Sequence, residues 1–227
     1  MEPTIIVQGD RRRLCGLVAE SAAGGLRLRD GFSLVWPDDF DPIHSPQRAA
    51  DLFRQRLGAA GVGVRKTILS LTREDVILRH LDVPDVADDE LPDLVRYQAA
   101  ARSTQPMDQL LLDYLPLPKR EGHEGRPVLA VTAPKSLVTS LQQLLETAGC
   151  EPAAVTFSSI GLAEFASQWD ARHPTHRSVL SITRDGSRLE LVVLAGRQML
   201  YAHSVRMGEE KALPAAALQA EVSRTIV

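Results

Sequence analysis

A chain of 227 residues, 44% of them apolar, is long enough for one large domain or two small ones with a sizeable core. Its formal net charge of -3 and pI near 6.1 supply no field that would gather nucleic acid or anionic lipid, and 4% aromatic content supplies no base-stacking platform. No window approaches the roughly 20 apolar residues that span a bilayer, the start "MEPTIIVQGDRRR" has no apolar run behind a basic segment, and the composition points to a cytosolic globular protein.

Strand signals open the chain: "TIIV" at 4–7, "LCGLVAES" at 14–21 and "GLRLRDGFSLVW" at 25–36, with Gly24 and Gly25 marking a turn. They predict an antiparallel meander. In "DPIHSPQRAADLFRQRLGAAG", 41–61, Ser45 suits a helix cap and Pro46 the first helical position. Ala49, Leu52, Phe53 and Leu57 then share a face before Gly58 and Gly61. "KTILSLTREDVILRHLDVP", 66–84, returns as one or two strands. A second helix begins in "DVADDELPDLVRYQAAARS", 85–103. There Asp88 and Asp89 are expected to satisfy the free amides and the positive dipole end, with Leu91, Leu94, Val95 and Ala99 as the apolar stripe.

"MDQLLLDYLPLP" and "RPVLAVTAP" predict paired strands across the polar loop 119–125. "PKSLVTSLQQLLETAGC" is the strongest helix, with Leu137, Leu141, Leu144, Leu145 and Ala148 at helical spacing and Gly149 as its stop. "EPAAVTF" predicts a short strand, and "SSIGLAEFASQW" a capped helix ending at the linker "DARHPTH", 170–176. The opening pattern then returns: 178–208 reads strand, tight turn, strand, turn, strand, as an internal duplication would. A helix begins in "LPAAALQAEVSRTIV", with Leu218 and Val222 facing one way.

Few side chains carry a chemical signature. Cys15 and Cys150 lie far apart beside apolar residues and suit reduced core thiols better than a metal site. His123, His173 and His176 stand in polar loops without acids or thiols at metal spacing and read as solvated. "SSIG", from Ser158 to Gly161, lacks the Gly-x-Ser-x-Gly arrangement of a nucleophile turn, and helix capping explains it more simply. The acids "DVADDE" read as helix-start charges rather than a cation site, and "RDGSR", 184–188, as a hairpin with Asp-Gly chemistry.

The succession of parts from 70 to 165 resembles the actin-like family that includes PilM, the cytosolic component of type IV pilus assembly, and its division relative FtsA. The resemblance is carried by a strand ending in "LDVP" at 81–84, an acid-started helix at 88–101, a Pro-containing turn at 104–107 and an acidic-hydrophobic strand at 110–114. The helix, strand and helix that follow to Phe165 continue it. It implies a mixed α+β and α/β chain with an actin-like, ribonuclease-H-like fold. Residues 1–65 and 153–174 would form the first lobe, 66–152 a small inserted α+β subdomain, and 175–227 the start of a second, incomplete lobe.

In that family the first phosphate loop reads roughly Asp-x-Gly followed by small residues, an apolar residue and often Lys. Such a loop lets backbone amides approach the anion while the acid organises a metal and its waters. Here Gln8 stands for the Asp, Asp10 for the Gly, Arg11, Arg12 and Arg13 for the small residues, and Cys15 for the Lys. Ile182, Thr183 and Arg184 stand where the second Asp-x-Gly is expected. Phosphate held directly by the three arginines is the weaker reading, because successive strand residues point to alternate sides.

The resemblance therefore implies no catalytic, cofactor-binding or metal-binding residue. It implies a non-catalytic scaffold or adaptor of a type IV pilus or type II secretion-like platform. The chain would be cytoplasmic and peripheral to the inner membrane, and would bind the cytosolic tail of a bitopic PilN-like protein and other platform components. The alternative is an ATP- and magnesium-dependent actin-like ATPase or switch, and a third reading is a partial gene product.

Overall fold

Strict alternation along Thr4–Gly9 forms the first strand, β1, with Ile5, Val7 and Gly9 turned into the core. A computed structural model describes residues 3–10, 12–22, 25–59, 61, 66–119, 122, 124–172, 178–186, 188–207 and 215–226. Contacts divide the chain into two units. One comprises Met1–Val76, Ser103–Leu111 and Thr132–Ser158, the other Ile77–Arg102, Leu112–Val131 and Ser159–Val227.

In the first unit β2 (Arg13–Ala22) and β3 (Gly25–Val35) complete the antiparallel meander. Helix α1 (Pro46–Ala59) opens on a proline whose missing donor costs nothing there. It buries Ala49, Ala50, Phe53 and Leu57, while Leu52 stays half-exposed. The stretch at 66–84 is two strands: β4 (Lys66–Leu71) and β5 (Ile77–Val83), parted by a 3-10 turn, Arg73–Asp75. In that turn the Thr72 hydroxyl donates to the Asp75 carboxylate at 2.6 Å.

Helix α2 (Leu91–Ala101) buries Leu91, Val95 and Ala99. Its start corrects an expectation: Glu90 is the cap residue, and no side chain caps the helix. Asp88 instead meets Arg126 at 2.7 Å. The guanidinium of Arg126 also donates to the Val86 carbonyl, so a partner distant in sequence takes this acid away from the helix start.

Strands β6 (Leu110–Pro116) and β7 (Arg126–Pro134) follow, and with β5 they make a three-stranded sheet of order β5-β7-β6. Helix α3 (Lys135–Thr147) buries Val138, Leu141, Leu144 and Leu145. Gly149, at φ +85°, lets the Cys150 amide donate to the Leu145 carbonyl and its own amide to Glu146. This Schellman closure makes the glycine necessary rather than incidental.

Strand β8 (Glu151–Phe157) completes a five-stranded sheet of order β3-β2-β1-β4-β8. β4 runs parallel to both β1 and β8. Helices α1 and α3 pack together, and α3 lies on β4 and β8. Beneath them the Phe32 and Phe53 rings stand 5.8 Å apart. A Cβ at Gly16 would run into the Phe32 ring, so that glycine is a packing requirement.

Helix α4 (Ser158–Arg172) runs three residues into the expected linker, and the rest of that linker, 173–176, lies outside the described residues. The second meander is β9 (Ser178–Asp185), β10 (Arg188–Ala195) and β11 (Gln198–Arg206), all antiparallel. Helix α5 (Ala215–Ile226) follows, with Leu218 and Val222 half-buried and Glu221 buried. Among the described residues no helix is long and apolar enough to cross a membrane.

Candidate functional site

The turn between β1 and β2 is the place to ask whether the chain holds an anion. Asp10 leaves β1 and folds its carboxylate back over the turn, where Oδ1 accepts the Arg12 amide at 2.7 Å and the Arg13 amide at 2.9 Å. The Asp10 amide donates to the Arg13 carbonyl at 2.8 Å. The amides of Asp10, Arg12 and Arg13 thus point at acceptors within the turn. Trp36, just after β3 and 4% exposed, braces it from behind: its amide donates to the Arg12 carbonyl at 2.9 Å and its indole Nε1 to the Asp10 carbonyl at 3.1 Å. The indole packs against Phe40 at 5.6 Å, and Arg48 covers the Phe40 ring at 5.1 Å. Arg11 lies outside the described residues.

Gln8 sits where β1 ends, and strand register carries its row across the whole sheet. Ser33 pairs with Cys15, Cys15 with Gln8, Gln8 with Ser70, and Ser70 with Thr156. The row therefore crosses the carboxyl ends of the three parallel strands β1, β4 and β8, where open α/β sheets bind their ligands. No member is a carboxylate that would hold a divalent cation. Sequence reading missed Ser70 and Thr156. The register that aligns them joins residues more than sixty positions apart, and no local signal points to it.

The second hairpin is tight. Asp185 pairs with Arg188 across a two-residue loop, Gly186 adopts φ +60°, and Arg184 Nε donates to the Gly186 carbonyl at 2.9 Å. The glycine is the first loop residue, so the Asp closes a strand rather than entering the loop. Across the same sheet Thr183 pairs with Glu190, a buried carboxylate that accepts the Ser159 hydroxyl at 2.5 Å. Ser159 is fully buried in the first turn of α4, out of reach of a substrate. Of the remaining candidates, His123, His173 and His176 lie outside the described residues. Cys150 is buried, and burial pushes its thiol up. Among the described residues no three His, Cys, Asp or Glu side chains gather in a way that would hold a metal.

No family of known sequences and no curated protein matches the chain. Solved structures do. The chain is similar to a structure described as the PilM-PilN type IV pilus biogenesis complex, at TM-score 0.74 and 22% identity, covering 98% of this chain and 69% of that one. The chain has a PilM-like actin fold. The chain is also similar to the cytoplasmic domain of EpsL, an inner-membrane component of the type II secretion system of Vibrio cholerae. That match has TM-score 0.57 and 14% identity, covering 90% of this chain and 71% of that one. A Bacteroides thetaiotaomicron protein of actin-like ATPase fold and unknown function matches at TM-score 0.53 and 9% identity, covering 91% and 71%. In this PilM-like chain the mixed α/β class and the actin-like architecture expected from 70–165 are both present, and the match takes in the two meanders.

Proposed function

We propose that this chain is a non-catalytic adaptor of an inner-membrane assembly platform of the type IV pilus or type II secretion kind. On this reading it is cytoplasmic and reaches the membrane only through the cytosolic tail of a PilN-like bitopic protein. The likeness to a structure of PilM with PilN, and to the cytoplasmic domain of an inner-membrane secretion component, supports the assembly role.

The observation that favours an adaptor over an ATPase is the turn at Asp10. A phosphate loop needs free amides, small side chains and an acid beside them. Here the Arg12 and Arg13 amides are occupied by the Asp10 carboxylate, which sits as an internal anion where an external one would be bound. Gln8 offers no charge to a cation at the neighbouring strand end. A triphosphate would have to displace Asp10 against its own negative charge. On the same reading 1–65 and 153–174 form the first lobe, 66–152 the inserted subdomain and 175–227 the start of a second lobe. No cofactor or metal is assigned.

Calorimetric titration of the full chain with ATP and magnesium, with Trp36 fluorescence followed in parallel, tests this proposal. No saturable heat and an unmoved emission are expected. Saturable micromolar binding would replace the adaptor with an ATP-responsive switch. A synthetic peptide of a PilN-like tail, titrated in the same cell, is expected to bind without nucleotide.

A further inference from the structure

The end of the β2-β3 hairpin is built as an unfinished sheet. Among the described residues β1 pairs with β2 from Leu14 to Ala19, and Glu20, Ser21 and Ala22 pair with β3. β3 stands at the end of the strand order, and no other strand among the described residues pairs with its outer edge. Leu26 and Leu28, paired with Ser21 and Ala19, are 74% and 65% exposed, although aliphatic side chains on a two-stranded ribbon need cover. Glu20 and Arg27 pair on the opposite face, where Arg29 donates to Glu20 at 2.7 Å and Arg27 is exposed.

Beyond Arg29 the edge is closed by its own chemistry. Register shifts there, leaving Arg29 as the extra residue of a bulge, and the Asp30 carboxylate takes the Gly31 amide at 2.8 Å. Both devices discourage pairing along the rest of the strand. What stays open is a segment of five residues, Gly25 to Arg29, patterned aliphatic, basic, aliphatic at its centre.

We propose that this edge receives an extended protein segment with an acidic residue between two aliphatic ones, added to β3 as a further strand. Backbone pairing would give the affinity, and the alternation the specificity. Aliphatic side chains would cover Leu26 and Leu28 while the acid meets Arg27. A second copy fits worse: in antiparallel self-pairing centred on Leu28, Arg27 of each chain faces Arg29 of the other, and like charges directly opposite destabilise. A lipid surface is also less suited, because Glu20 and Asp30 cancel the two arginines of the ribbon. The proposal does not depend on which assembly the chain serves.

The test uses the full chain, isotope-labelled, and a synthetic peptide with an Ile-Glu-Ile core flanked by Gly and Ser. Amide shifts confined to the β2-β3 hairpin are expected. Arg27→Glu should weaken binding about fivefold by exchanging an attractive for a repulsive cross-strand pair, and a Lys-centred peptide should restore it. N-methylation of the peptide backbone should abolish binding. No binding at millimolar peptide, binding indifferent to Arg27→Glu or to N-methylation, or shifts elsewhere would each overturn the proposal. So would a dimer, or adsorption to phosphatidylglycerol vesicles, that disappears when Leu26 and Leu28 are both changed to Ser.

Discussion

Removing the Asp10 carboxylate breaks two hydrogen bonds in one turn, since the Arg12 and Arg13 amides both end on the same oxygen. Asp10→Ala is expected to destabilise the first unit by about 1 kcal/mol, discounted because water reaches part of the turn. Urea unfolding followed at Trp36 measures this directly, and an unchanged midpoint would show that the turn holds its shape without the acid. Thiol chemistry divides the two cysteines. Cys15 is half-exposed on β2, whereas Cys150 is buried and its thiol is pushed up by burial. Because the thiolate is the nucleophile, iodoacetamide at neutral pH should label one site in the folded protein and the second only with global unfolding, as read by mass spectrometry. Rapid labelling of Cys150 in the folded protein would contradict the closed packing around it.

At the scale of elements, α3 depends on how it stops. The Schellman closure through Gly149 and Cys150 works because φ +85° costs a glycine little, and the Arg54 guanidinium reaches across from α1 to donate to the Thr147 carbonyl at the same helix end. Gly149→Ala should cost about 1 kcal/mol from the left-handed conformation alone. Thermal unfolding would reveal it as a lowered Tm, with α3 otherwise intact in amide exchange. Phe53 sits fully buried in α1 against Phe32, and Phe53→Ala should cost on the order of 3–5 kcal/mol. That is a large part of a domain's whole stability, and a loss under 1 kcal/mol would mean that this core is not shared between helix and sheet. Asp89 illustrates a limit of local reading. It was expected at the cap of α2, yet the cap residue is Glu90 and no side chain caps the helix, so an acid near a helix start does not by itself locate the start.

For the whole molecule, acid sensitivity follows from two carboxylates. Asp41 titrates below the ordinary range because His44 bonds to it, at 2.9 Å, and two backbone amides add to the effect. Asp85 is lowered chiefly by its bond to Lys119 at 2.5 Å. A carboxylate held lower in the folded state than in the unfolded chain contributes stability above its unfolded pKa of about 3.9 and loses it as pH falls below that. Stability is therefore expected to decline on acidification below about pH 4, and doubling Asp41→Asn with Asp85→Asn should shallow that decline. Both groups are substantially exposed, so the effect should be small and reduced by salt. A pH profile unchanged by the double variant would assign acid unfolding to other groups.

What could be read from the chain alone was whatever depends on neighbours in sequence: the 3.6-residue spacing of α3, the alternation of β1 and the glycine that ends α3. Those patterns are local because hydrogen bonding within a helix or across a tight turn joins residues a few positions apart. Only the tertiary structure decided the parallel pairing of β4 with β1 and β8, the polar row from Ser33 to Thr156, the bracing of the turn by Trp36, and the burial of Glu190 against Ser159. Each of these joins positions separated by tens of residues. Which partners meet is set by how whole elements bury their apolar faces together, a free energy belonging to the assembled sheet and its helices and to no single stretch of sequence.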